Sequence, residues 1–119
     1  MVTVLISADS KFPINRPKIR QAIESVLRQK GITSDVEVSI LICGARKSAT
    51  MAKKYLHDEK AHNVLSFPTE SFPVIGDIAV CYPLAQEEAN ADNVLVDTKI
   101  SELVSHGMLH LLGEHHVLS

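Results

Sequence analysis

Three histidines near the C-terminus, His106, His110 and His116, have a spacing that suits a metal site. Residues four apart in a helix are offset by only about 40°, so His106 and His110 would project from one helix face. Gly113 can end the helix with a positive φ and turn the chain back, which would bring His116 to the same point. Three imidazoles with a fourth position open to water are typical of a catalytic zinc. The spacing therefore predicts a metalloenzyme with one metal ion per chain, for which Zn²⁺ is the leading candidate.

His115 adjoins the third ligand and is an alternative to it. We favour a solvated neighbour of His116, or a group that orients a ligand, as the interpretation of His115. A single histidine on an apolar helix is more often a core or surface residue than a ligand, but three at this spacing are hard to explain that way. Three imidazoles suit several divalent ions, so the identity of the metal stays open at this point.

The same histidine spacing occurs in metzincin proteases, where a glutamate follows the first histidine and acts as general base. In this chain that position is Gly107, which has no side chain to transfer a proton. A metallopeptidase is therefore disfavoured, and we expect Gly107 to let another element approach the helix closely. Glu102, one turn before His106, is either a candidate base, a group that orients a ligand, or a plain surface carboxylate.

Length and composition predict a single globular domain over residues 1–119. The chain has 119 residues, of which 45% are hydrophobic and only 4% aromatic, so aliphatic side chains must fill one core. No apolar run reaches the ~18 residues of a membrane span, and the N-terminus lacks a basic leader. A net charge of −2 excludes a strongly basic nucleic-acid binder but not a local basic patch. Cys43 and Cys81 lie in apolar runs and are expected to be buried free thiols, which fits a cytoplasmic protein.

Hydrophobic periodicity and turn residues predict the element order β-α-β-α-β-β-α-α. The strands are predicted at residues 2–7, 35–43, 63–67 and 76–81, and the helices at about 17–30, 45–56, 83–91 and 97–112, the last with Asp97 as N-cap. This order indicates an α+β fold, a small mixed β-sheet of about four strands with helices packed on it. The last helix is apolar nearly all round, so we expect it to be buried, with its histidines partly buried at the edge of the core.

Three sequence motifs occur together in the second half of the chain. The stretch 106–116 matches the pattern His-Gly-x-Leu-His-Leu-x-Gly-Tyr-Asp-His at His106, Gly107, Leu109, His110, Leu111, Gly113 and His116. Upstream, residues 63–68 read Asn-Val-Leu-Ser-Phe-Pro and residues 76–80 read Gly-Asp-Ile-Ala-Val. By these motifs the chain resembles the YbeY-type bacterial ribosomal RNA maturation endoribonucleases. The resemblance covers most of the chain from Tyr55 on and, before that, only the element order.

The resemblance implies a mixed sheet with surrounding helices and a zinc ion held by His106, His110 and His116. It also implies a metal-dependent endoribonuclease that cleaves single-stranded RNA in ribosomal RNA maturation and quality control. The implied partners are ribosomal RNA, the small ribosomal subunit and ribosome-assembly factors, in the cytoplasm and without a membrane. No catalytic residue is assigned beyond the metal and its water, because zinc can both activate water and polarise a phosphoryl oxygen.

The chain departs from the family pattern at three places. Leu56 replaces an arginine that is thought to serve the RNA phosphate, Glu114 and His115 replace a Tyr-Asp pair, and Ser119 is the last residue where relatives continue. The first and the last of these departures motivate an alternative function, a catalytically weak, zinc-stabilised RNA- or ribosome-binding protein.

Positive charge near the second predicted helix is a candidate substitute for the missing arginine. The basic residues there are Arg46, Lys47, Lys53, Lys54 and Lys60. They would track a phosphate backbone, although a solvated basic helix face is an equally good interpretation. His57 and His62 are interpreted as loop histidines, either of which would also suit a place near the phosphate. Asp77 is interpreted as a turn residue after Gly76 rather than as a carboxylate that orients a ligand imidazole.

Overall fold

The chain is described by a computed structural model over residues 1–113, which form four strands and four helices. The strands are Val2–Ala8 (β1), Val36–Cys43 (β2), Val64–Pro68 (β3) and Val74–Cys81 (β4). The helices are Arg16–Gln29 (α1), Ala45–Leu56 (α2), Tyr82–Asp92 (α3) and Val96–Gly113 (α4). The predicted element order and the α+β class are confirmed.

The strands form one mixed sheet in the order β1-β2-β4-β3. β1 and β4 flank β2 in parallel, with Ile40 paired to Ile6 on one side and to Ile78 on the other. β3 pairs antiparallel with β4, so that Ser66 lies beside Ile78, and it forms one edge of the sheet. The predicted mixed sheet of four strands is therefore confirmed.

The main core lies between one face of the sheet and the helices α1 and α4. Alternate residues of β2 point into it and are at most 2% exposed: Val36, Val38, Ile40 and Ile42. The predicted buried face of α4 is confirmed, with at most 1% exposure at Ile100, Val104, Met108 and Leu111. Leu109 is 44% exposed, however, so α4 keeps one open strip and is not buried all round. The helix thus lies at the surface of the core.

The opposite face of the sheet is only partly covered, by α2. A small cluster of Ala52, Leu65 and Ala79 packs there, with Leu41 and Phe67 against it. Because α2 covers only this end of the sheet, the remainder of the face stays open.

Two details at element ends qualify the sequence-based expectations. α4 begins at Val96, so Asp97 lies inside its first turn rather than at the N-cap, where its charge still interacts favourably with the helix dipole. Cys43 and Cys81 are buried free thiols, as predicted, and they pair in register at the ends of β2 and β4. Burial raises the pKa of Cys43 to about 11 and also raises the pKa of Cys81, so both thiols are protonated at neutral pH. Within residues 1–113, no helix is long and apolar enough to cross a membrane.

Candidate active site

The open strip of α4 carries two of the three predicted ligands. His106 and His110 are four residues apart, both are exposed, and neither makes a hydrogen bond with another residue of the described range 1–113. We expected these histidines to be partly buried; that expectation is wrong because the core contacts of α4 occupy its other face. Two free imidazoles on one helix face suit a shared ion that approaches from solvent.

Gly107 brings the main core up to the backbone of α4 between the two histidines. A Cβ atom at this position would lie 2.9 Å from Cγ2 of Ile78, a fully buried residue of β4. The hydroxyl of Ser66 on β3 donates a hydrogen bond to the Gly107 carbonyl oxygen at 3.5 Å. The expected close approach of another element is confirmed, and it leaves no room for a glutamate side chain at position 107.

A cleft of about 290 Å³ lies between α4, β3 and the end of α2. Its walls include His106 and His110 on one side and Leu56 and His62 on the other. His62 therefore lines the same cleft as the two candidate ligands, whereas the sequence offered both His57 and His62 for a place near the phosphate. His57 does not line this cleft; it ends α2 in a left-handed conformation with φ 57°.

His62 is held in place through both its backbone and its ring. Its backbone N–H donates to the Ser48 hydroxyl at 3.0 Å, and that hydroxyl donates to the His62 carbonyl oxygen at 2.9 Å. Ser48 is only 1% exposed. The ring Nε2 lies 2.8 Å from Oδ2 of Asp58. The pKa of Asp58 is lowered, first by the backbone N–H of Lys60 and then by His62. The Asp58 carboxylate thus holds the His62 ring in one orientation.

The basic residues near α2 are divided between different surfaces. Arg46 and Lys47 line a separate cleft with Lys11 at the beginning of α2, and Lys54 lies over the ring of Tyr55, 5.2 Å from its centroid. Within residues 1–113, no lysine or arginine lines the histidine cleft. Leu56, where the family pattern has arginine, is 51% exposed at its mouth. Among the described residues that line this cleft, His62 is the one outside α4 with a side-chain nitrogen. It is therefore the best candidate to replace the arginine.

The Gly-Asp motif of β4 has a structural glycine and an exposed carboxylate. Gly76 has φ +151°, and a Cβ atom there would lie 2.5 Å from the carbonyl oxygen of Phe67. Asp77 lies within β4, exposed on the face of the sheet opposite to α4, so the predicted turn role is wrong. On that face, the Asp77 carboxylate lies away from the His106 and His110 imidazoles. Side chains alternate along a strand, and it is Ile78 that points toward α4.

Glu102 is engaged in an ion pair away from the cleft. Its Oε2 lies 3.0 Å from Nζ of Lys99, which also donates to Asp92 at 2.6 Å. Asp92, and then Glu102, raise the pKa of Lys99. Of the interpretations open for Glu102, the surface carboxylate is the one that this ion pair supports.

The third predicted ligand, His116, and its alternative, His115, lie outside the described residues, as does the return turn predicted after Gly113. Within residues 1–113 no group of three or more histidine, cysteine or acidic side chains is assembled to hold a metal. The residues that are described fit a zinc ion, because neutral imidazole nitrogens are good zinc ligands and two stand unpaired on one face. The complete ligand set stays a prediction.

Comparison with known proteins identifies relatives over nearly the whole chain. The family model described as Endoribonuclease YbeY matches residues 6–118. A protein named Endoribonuclease YbeY from Pseudomonas entomophila is 34% identical over 104 residues, which is 82% of this chain and 65% of that protein. One of the same name from Acinetobacter baumannii is 31% identical over 130 residues, 99% of this chain and 82% of that protein. The chain thus spans slightly under two thirds of the first relative and about four fifths of the second.

The fold is similar to a solved structure as well. The solution structure of a Thermotoga maritima protein matches with a TM-score of 0.64 and 24% sequence identity, over 93% of this chain and 71% of that one. This likeness supports the arrangement of strands and helices described above.

Proposed function

The chain belongs to the endoribonuclease YbeY family, and on that premise we propose that it is a metal-dependent endoribonuclease. It would cleave single-stranded RNA, chiefly ribosomal RNA during its maturation and quality control in the cytoplasm, with the small ribosomal subunit and assembly factors as partners. One Zn²⁺ would be held by His106, His110 and His116. The observation that carries the proposal is the pair of exposed, unpaired imidazoles of α4 on the wall of an open cleft.

The residues around the histidine cleft hold α4 in position. The contact between Gly107 and Ile78 fixes the depth of the helix on the sheet, and the hydrogen bond from Ser66 ties it to β3. His106 and His110 then face the cleft from a rigid element, which limits the range of positions an ion can take. When bound, zinc supplies a Lewis acid for the phosphoryl oxygen and a water with a pKa near 7.

His62 is the protein group that we assign to the phosphate. Asp58 holds its ring, which lines the same cleft as His106 and His110, so the imidazole is placed to hydrogen-bond with a phosphate oxygen there. This role compensates in part for Leu56, which presents no charge. Lys53, Lys54 and Lys60 are exposed outside the cleft and would meet the flanking phosphates.

The size of the cleft supports an unpaired strand as substrate. A space of about 290 Å³ beside an edge strand accommodates one phosphate with its sugar. Unpaired RNA can bend its backbone into such a site, whereas a duplex presents its phosphates on a stiff, wide surface.

The proposal is tested by internal cleavage of RNA. The full chain with one zinc per molecule should cut a single-stranded RNA at internal positions and leave the same sequence in a perfect duplex intact. His106→Ala should lose this activity, and His57→Ala, which changes a histidine outside the cleft, should keep it. Equal activity of the His106→Ala protein would assign the cleavage to a contaminating nuclease or to another site.

A second function is favoured by one observation, the lack of any lysine or arginine among the described residues that line the histidine cleft. A zinc-stabilised RNA- or ribosome-binding protein with weak catalysis needs metal and RNA affinity but no charge at the scissile phosphate. Tight binding of single-stranded RNA with full zinc content and no cleavage would favour this function over the nuclease.

A further inference from the structure

A second cleft of about 680 Å³ lies on the open face of the sheet, beside the end of α2. It has the volume of a typical small-molecule site. At one side stand Tyr55 and Phe67, whose ring centroids are 5.0 Å apart at an interplanar angle of 57°. Tyr55 is 55% exposed. An aromatic ring usually stabilises a fold by being buried, and this one contributes little in that way. Lys54 lies over this ring, but its side chain is long and exposed and can move aside, so the ring is available to stack on a ligand.

The floor of this cleft carries a carboxylate without a partner. Asp77 lies in an interior strand, between Ser39 of β2 and Phe67 of β3 in the register of the sheet. Among residues 1–113 it makes no hydrogen bond or ion pair, and no lysine or arginine of this range lines the cleft. The floor therefore offers hydrogen-bond acceptors that call for N–H donors from a ligand.

The two clefts meet at β3. Leu56, Ser66 and Phe67 line both the histidine cleft and the cleft with Asp77. A chain whose phosphate lies beside His106 and His110 can therefore place a neighbouring group over the edge strand, against Tyr55 and Phe67. A nucleotide next to the scissile phosphate is such a group.

The chemistry of the lining selects among the four bases. Aromatic rings stack on any unpaired base, but a carboxylate accepts two parallel hydrogen bonds only from two adjacent N–H donors. Guanine presents these donors at N1 and N2 of its Watson–Crick edge, whereas the other three bases place an acceptor beside each donor. We propose that this cleft binds an unpaired guanine of the RNA substrate, stacked on Tyr55 and read by Asp77. The proposal rests on the proposed function, since it assumes that RNA occupies the histidine cleft.

The test is the affinity of the full chain for short 2′-O-methyl RNAs, measured by fluorescence anisotropy. The probes are uridine heptamers with guanosine, inosine or adenosine at the central position; inosine lacks only the N2 amino group. We expect the guanosine probe to bind about 10-fold more tightly than the inosine probe, the range that one bidentate base contact provides. Asp77→Asn should abolish that preference, because its amide replaces one acceptor by a donor. Glu70→Gln, which removes an exposed carboxylate outside the cleft, should leave the preference unchanged.

Removal of the stacking ring has a different signature. Tyr55→Leu should weaken all three probes by about 10-fold without changing their ranking, as expected from base–aromatic stacking. Equal affinity of wild type for guanosine and inosine probes, with RNA cleavage intact, would overturn the guanine site and leave the proposed function standing. Absence of binding to every probe would overturn both. Displacement of RNA by an arginine-rich peptide from wild type but not from Asp77→Asn, with no guanosine preference, would assign the cleft to a protein partner and overturn the proposal.

Discussion

Gly107 distinguishes this chain from the metzincin proteases, which have the same histidine spacing. Its position between His106 and His110 is the one where a metzincin protease has its general base. The structure adds that Ile78 fills the space into which any side chain at this position would project. Packing as well as chemistry therefore disfavours a peptidase, and we expect no metal-dependent cleavage of an unstructured protein by the purified chain; clear cleavage would contradict this.

The stability cost of filling this space is measurable. Gly107→Ala should lower the free energy of unfolding by about 1–3 kcal/mol, as overpacking of a rigid core does, because the added methyl meets Ile78 at 2.9 Å. Gly44→Ala is the matched control, since its methyl would lie 3.8 Å from Phe12, an ordinary contact distance. Urea unfolding compares the two variants. A Gly107→Ala protein as stable as Gly44→Ala would show that the Ile78 side chain moves aside without a loss of stability.

The ligand set makes a prediction about metal content. His106→Ala, His110→Ala and His116→Ala should each lower zinc content strongly, because a three-imidazole site loses much of its affinity with one ligand removed. His57→Ala should retain zinc. Elemental analysis of the purified proteins measures this, and full zinc content in the His116→Ala protein would point to His115 instead.

Asp58, in the loop before β3, should make the stability of the folded chain depend on pH. Its folded pKa is lowered by the Lys60 N–H and by His62, so its stabilising contribution is present above the unfolded value of 3.8. That contribution disappears as the pH falls through the lowered folded pKa. Wild type should therefore exceed Asp58→Asn in stability at neutral pH, and the difference should shrink below about pH 4. Denaturant unfolding across pH checks this, with Glu59→Gln as a neighbouring control; a constant difference would exclude an ionised Asp58 as its source.

Among the elements, helices with strong periodicity are predictable from the sequence and the cleft between elements is not. α2 occurs at residues 45–56 as predicted, and the buried face of α4 follows its apolar spacing. The turn interpretation of Asp77 fails because a Gly-Asp pair is a frequent turn signal, whereas here Gly76 permits the close pairing of β3 and β4. The local sequence does not distinguish His62 from His57 as a loop histidine near the phosphate, because the place of His62 in the cleft depends on hydrogen bonds with Ser48 that no local pattern encodes.

The basic residues in the last turn of α2 and in the loop that follows it carry a prediction for RNA binding. Removing one phosphate-binding cation should reduce the slope of log affinity against log salt by about 0.7 for a single strand. Lys53→Ala, Lys54→Ala and Lys60→Ala are to be compared with wild type in binding a short single-stranded RNA over a salt series. Unchanged slopes in all three variants would remove these residues from the path of the RNA.

Leu56 is the companion site at the end of the same helix. Because it is exposed at the mouth of the histidine cleft, Leu56→Arg should place a guanidinium near the phosphate without disturbing the core. We expect a higher cleavage rate with unchanged zinc content. Leu56→Met, an uncharged change of similar size, is the control. No gain from arginine, with zinc fully bound, would favour the binding protein over the nuclease.

In the whole molecule, the edge strand β3 separates the two clefts on opposite faces of the sheet. The main core on one face fixes α4 and its histidines, and the thin cover of α2 leaves the other face open beside Asp77. This arrangement follows from the strand order β1-β2-β4-β3, which sequence patterns did not specify beyond a mixed sheet. The element order is predictable from the sequence, but the strand pairing that places the histidine cleft next to an open cleft is not.

The dependence of RNA cleavage on zinc occupancy tests the central claim most directly. The full chain is stripped of metal with a chelator, and the rate of internal cleavage of a single-stranded RNA is measured as zinc is added back. Because the proposed site of His106, His110 and His116 takes one ion per chain, the rate should rise from zero in proportion to zinc and level off at one equivalent. Full activity of the metal-free chain, or no activity at one bound zinc, would contradict a three-histidine metal-dependent endoribonuclease.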